Sequence, residues 1–98
     1  MNSTFQWISD WFKAYCDGDW EHEHQIKVYT VSNPGWCVEI DLNETGLSEI
    51  QLTGEDSDIS DQDWFFYHVR DSKFVASGDL SKLDFLLKKF RKIVENHS

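Results

Sequence analysis

The sequence predicts an α+β domain, an antiparallel sheet of about five strands flanked by N- and C-terminal helices in the order α-β-β-β-β-β-α. Three observations carry this. Apolar residues recur every three to four positions at both ends of the chain, the signature of amphipathic helices. Between them they alternate with polar residues, as on half-buried strands. Turn residues separate the alternating runs at short intervals, which favours antiparallel neighbours.

The first helix is expected over residues 4–16. Ser3 and Gln6 have the spacing of a capping box, and Phe5, Ile8, Trp11, Phe12 and Tyr15 share one side, with Gly18 as the stop. Ile26, Val28 and Thr30 then alternate with Lys27, Tyr29 and Val31. Across the turn Ser32-Asn33-Pro34-Gly35, where glycine is free to take positive φ, Trp36, Val38, Ile40 and Leu42 alternate with Cys37, Glu39 and Asp41. A third strand over 48–53 would bury Ile50 and Leu52, and the polar run 54–62 reads as a loop. Trp64–Arg70 is apolar on both faces, as in a central strand, and Asp71-Ser72 turns the chain into a short strand over 73–77. Leu80, Leu83, Leu86, Leu87, Phe90, Ile93 and Val94 form the stripe of a closing helix over 80–96, capped by Ser81 with Asp84. Phe85 falls off that stripe and is expected to staple onto Leu80.

At 98 residues the chain is a single domain, and 40% hydrophobic with 15% aromatic residues is too apolar for a disordered one. Its formal charge of −9 disfavours direct nucleic-acid binding and anionic membranes, both of which need a cationic surface. The charge is uneven. Residues 1–63 hold fourteen acids and two lysines, a net of −12, whereas residues 64–98 hold four acids and seven bases, a net of +3. Such asymmetry suggests an acidic face that attracts a basic protein. No stretch is long and apolar enough to span a bilayer, and the N-terminus lacks the pattern of a secretory signal. Cys16 and Cys37 are therefore expected as free thiols in a cytoplasmic protein.

The stretch Asp17-Gly18-Asp19-Trp20-Glu21-His22-Glu23-His24 holds the most chemistry, four carboxylates and two imidazoles in eight residues. His-x-His could supply two metal nitrogens, but no third ligand stands at a diagnostic spacing, so no metal and no cofactor are expected. Cys16 lies among carboxylates, which raise a thiol pKa and work against nucleophilicity. The acidic run 55–63 fails as a calcium loop, because an EF-hand opened at Asp56 would need glycine at Asp61 and glutamate at Tyr67. No catalytic residue is assigned. A small hydrolase or transferase using the 17–24 cluster, and an acidic adaptor, stay open as alternatives.

Trp7, Trp11, the run Cys16-Asp-Gly-Asp-Trp-Glu-His22, and Asn33-Pro-Gly-Trp36 leading into Val38-Glu-Ile-Asp-Leu42 resemble the immunity protein 53 family. The resemblance implies a small bacterial protein that neutralises a toxin of a polymorphic toxin system by binding it in the cytoplasm. Its motif residues, Trp11, Asp17, Gly18, Asp19, Trp20, Glu21, Asn33, Pro34, Gly35 and Trp36, are expected to pack and cap, not to contact the partner. Toxin contacts are expected on the outward face of the first three strands, at Tyr29, Glu39, Asp41, Glu49 and Gln51. The acidic run with Glu55, Asp56 and Asp58 is the second candidate. Nuclease toxins bind a polyanion, so an acidic cover for a cationic toxin surface is the expected mechanism.

Overall fold

The structure is a computed structural model and describes residues 3–97. The elements run α1 (Thr4–Tyr15), α2 (Trp20–Glu23), β1 (Ile26–Val31), β2 (Gly35–Asp41), β3 (Asp56–Ser60), β4 (Asp63–Arg70), β5 (Lys73–Gly78) and α3 (Leu83–His97). The five strands form one antiparallel sheet in the order β1-β2-β5-β4-β3. The last strand thus enters the middle, joining the β1–β2 hairpin to the β3–β4 hairpin.

Both long helices cover the same side of the sheet. Phe90 of α3 touches Trp11 of α1 and Phe74 of β5, at ring-centroid distances of 5.0 and 5.2 Å. Alternation does the rest: Val38, Ile40, Phe74, Ala76 and Val69 point under the helices and are almost fully buried with Leu86, Leu87 and Phe90. The Ser3 side chain caps α1 by accepting from the Gln6 backbone amide. Phe5 is the departure from the expected stripe. It stays exposed, and Trp7 takes its place, edge-on to Phe90.

Three expectations about elements are corrected. Residues 48–53 are not a strand; the chain turns over residues 43–49, and only Leu52 makes a single bridge, to Val69. Thr45 holds those turns, donating to the Leu42 carbonyl and accepting from Leu47 N–H, while Leu47 fills the core. The third strand instead lies in the polar run expected to be a loop. β3 is an edge strand whose sequence, DSDIS, fills no core position, so it carries no apolar alternation. α3 begins later than expected. Ser81 does not cap it, because its hydroxyl donates to Asp79, and Phe85 packs on Phe65 at 4.7 Å while Leu80 remains more than half exposed.

Gly35 also differs from expectation, since its φ is not positive. A Cβ there would stand 2.4 Å from the Gly78 carbonyl oxygen and 2.8 Å from the Trp64 ring. Glycine is required by the close approach of the β5 carbonyl and the Trp64 indole, not by the turn.

Candidate partner-binding site

Asp17, Trp20 and Glu21 of the motif are held in local structure, whereas its Asn33 and Pro34 are exposed at the β1–β2 turn. Glu21 reaches back over the start of α2 and accepts from the backbone amides of Asp17 and Gly18. Asp17 accepts from the amides of Asp19 and Trp20. These amides hold the Asp17 carboxyl below its usual range, and backbone bonds do the same for Glu21. Trp20 is the hub beneath them. Its ring lies 4.9 Å from Phe12 and is stacked on His24, and its Nε1 donates to the Asn43 carbonyl. His24 is buried with Nδ1 2.7 Å from the Trp20 carbonyl oxygen, while His22 faces solvent. Among the described residues no three potential ligands gather as a metal site would need. Cys16 is exposed, but desolvation, Glu21 and Asp17 raise its pKa, so the thiolate is disfavoured.

The side of the sheet away from α1 and α3 is open. Cross-strand register places Tyr29, Cys37, Ser77, Phe66 and Asp56 in one row across it. A second row runs Lys27, Glu39, Val75 and His68, and a third Asp41, Lys73 and Arg70. This face has two unlike halves.

In the β1–β2 half the carboxylates are spent. Glu39 accepts from the Tyr29 hydroxyl and lies 3.7 Å from Lys73 Nζ. The Tyr29 bond, then the charges of Lys73 and Lys27, hold its carboxyl below the usual range. Cys37, and then the same Glu39 contact, push the Tyr29 phenol well above its ordinary pKa. Asp41 accepts from Gln25 N–H and stands opposite Lys73 in the register. Glu39 and Asp41 are therefore half-buried and tied, not simply directed to solvent as alternation suggests. Cys37, expected outside, is 7% exposed under its neighbours on this face.

The β3–β4 half is different. Asp56 and Asp58 project from β3, Asp61 sits at the hairpin turn, and among the described residues none of the three has a cation within salt-bridge distance. With Asn33, Trp64 and Phe66 they line a groove of about 280 Å³. Ile59 is 74% exposed beside them and Phe66 37%. A neighbouring hollow of about 420 Å³ adds Pro34, Gln62 and the exposed Leu80. Asp79 fixes this end of the molecule. It is buried and accepts from Trp64 N–H, from the Ser81 amide and hydroxyl, and from Lys82 Nζ at 2.7 Å. Burial pushes its pKa up, but these donors prevail and hold the carboxyl far below its usual range.

The predicted contact residues are thus divided. Tyr29, Glu39 and Asp41 come together. Glu49 and Gln51 do not join them, because the segment around Leu52 lies beside β4, across β5 from β2. Glu55 turns toward the helices, accepting from Tyr67 Oη and Lys89 Nζ. Asp56 and Asp58 stay on the open face. Sequence reasoning held Ile59 and Asp61 only as part of the acidic run 55–63 and missed Trp64 and Phe66 as groups of this surface.

Two helices on one face of a five-stranded antiparallel sheet, with the other face uncovered, define a small α+β domain. The chain belongs to the family described as Immunity protein 53, which matches residues 5–95. It is also similar to a Drosophila melanogaster protein named "Putative inactive polypeptide N-acetylgalactosaminyltransferase 11", 39% identical over 68 residues. That match covers 69% of this chain and 12% of the fly protein, too small a part for its named activity to bear on this one. No solved structure matches.

Proposed function

We propose that the protein neutralises a cognate toxin of a polymorphic toxin system by binding it in the cytoplasm, through the β3–β4 half of the open face. The toxin is of nuclease type, with a cationic active surface that the acidic protein covers. One observation carries the choice of surface: among the described residues Asp56, Asp58 and Asp61 have no cationic partner, exposed Phe66 and Leu80 line the grooves beside them, and Ile59 is exposed between Asp58 and Asp61. Unpaired carboxylates project a field that steers a basic partner, and apolar anchors beside them supply slow dissociation. In the motif cluster, by contrast, Asp17 and Glu21 are engaged by backbone amides.

Co-expression tests this. A toxin encoded next to this gene should kill cells alone and be tolerated with the protein present, and the two should co-purify in a salt-sensitive complex. Survival without a complex would overturn the binding mechanism.

A further inference from the structure

The two edges of the sheet are not equivalent. β1 pairs with β2 over six residues without irregularity, and its side chains include one charge, Lys27. β3 is shorter, acidic, and shifts register between Asp58 and Ser60. Such features protect an edge against indiscriminate pairing. A second copy aligned on β3 would set aspartates against aspartates, which like-charge repulsion disfavours. The same charges favour a strand of opposite sign.

The backbone of β3 is placed for one. Tyr67 N–H donates to the Glu55 carbonyl, so Glu55 and Tyr67 form a pair of the hydrogen-bonded type. Alternation then makes Asp56/Phe66 and Asp58/Trp64 the other type, with the N–H and C=O of both aspartates directed away from β4. Both residues are exposed, and β3 is the outermost strand on its side. Their side chains, two positions apart, share the open face next to Trp64 and Phe66.

We propose that an extended segment of the toxin, with lysine or arginine at alternate positions, adds to β3 as a sixth strand. Its main chain bonds to Asp56 and Asp58, and its basic side chains meet their carboxylates across the strand gap. This rests on the β3–β4 half being the toxin-binding surface and specifies how that surface is read.

The probe is a six-residue peptide alternating lysine with valine or threonine, added to the ¹⁵N-labelled full chain. Amide hydrogen exchange at Asp56 and Asp58 should slow about tenfold at saturation. Val28 and Thr30, the corresponding outward amides of β1, should be unaffected. A peptide of the same composition with its lysines in one block should protect neither edge. Asp56→Asn with Asp58→Asn, checked by its amide spectrum for an intact fold, should abolish the effect. Protection at Val28 and Thr30, equal protection by the blocked peptide, or none at millimolar peptide would each overturn strand addition. Toxin neutralisation measured separately on the same protein tells loss of this mode from loss of the function itself.

Discussion

The β1–β2 half of the open face and the β3–β4 half carry similar numbers of carboxylates, yet only the second leaves them available. Glu39 is held by Tyr29 and Lys73, and Asp41 by Gln25 N–H. Asp56, Asp58 and Asp61 have no such partners among the described residues. The difference comes from the far end of the chain. Lys73, Lys82 and Lys89, from the basic last third, fold back onto Glu39, Asp63 and Glu55 of the acidic first part. Folding offsets three of the acids of residues 1–63 in this way and leaves most of the charge asymmetry in place. Among the acids it leaves uncompensated are Asp56 and Asp58 of β3, whereas a compensated carboxylate contributes little field beyond its own ion pair.

The comparison breaks most completely if the β3–β4 half loses its support. Asp79 joins the start of β4 to the turn before α3, so Asp79→Ala leaves Lys82 with Asp63 alone and leaves Trp64 N–H and the Ser81 amide without their acceptor. Leaving a buried donor without its acceptor costs about 1–3 kcal/mol, so thermal unfolding should fall by about 10 °C. The pH dependence has a definite sign. A folded-state pKa depressed below the unfolded value of about 3.9 stabilises above that pH and is lost as pH falls through it. Wild-type stability should therefore decline below about pH 4, and Asp79→Asn should show a shallower decline. An equal slope in both proteins would remove Asp79 from this role.

Next in size is the effect on toxin capture. Asp56→Lys with Asp58→Lys should slow association at low salt by about 10–100-fold and flatten its salt dependence, with a smaller change in dissociation. Glu39→Lys with Asp41→Lys should slow association much less. Its main result should be lower stability, about 1 kcal/mol after allowing for solvent screening, because it frees Tyr29 and sets new cations beside Lys73. Stopped-flow mixing and chemical denaturation read the two quantities separately. If the Glu39/Asp41 reversal were the slower binder, the assignment of the two halves would be reversed.

Much of the fold was legible in the sequence, for reasons that also mark where legibility ends. β2 announces itself because Val38 and Ile40 must be apolar under the helices, and α3 because Leu86, Leu87, Phe90 and Ile93 must be. β3 faces no core, so nothing constrained its residues to alternate, and a strand looked like a loop. The Ile50–Leu52 pair looked like a strand because both pack against the core from an irregular segment. The packing role of the motif was visible in its tryptophans, and Glu21 was readable as a cap. The binding surface was less legible. Whether Glu39 is free depends on Lys73, thirty-four positions along the chain, and no local pattern reports such a pairing.

The smallest expected effect separates two neighbouring acids in the sequence. Glu55 and Asp56 are adjacent, and composition alone gives them equal claims on a basic partner. In the fold Glu55 points toward the helices, where Lys89 and Tyr67 bind its carboxylate and hold its pKa below the usual range. It pushes the Tyr67 phenol the other way, adding to burial to bring its pKa to about 12. Asp56 lies on the open face, and no cation among the described residues stands within salt-bridge distance of it. Glu55→Gln removes a charge already neutralised by Lys89, but it also releases that lysine's charge, so the far field changes by one unit as any neutralisation would. What it does not remove is a contact at the β3 groove. Association at low salt should therefore stay within about twofold of wild type, and dissociation should not change. Asp56→Asn, the same loss of one charge, should raise dissociation as well as slow association. Measuring both variants at low and high salt isolates the contact from the field. Equal dissociation rates for the two would mean that Asp56 steers the toxin without touching it.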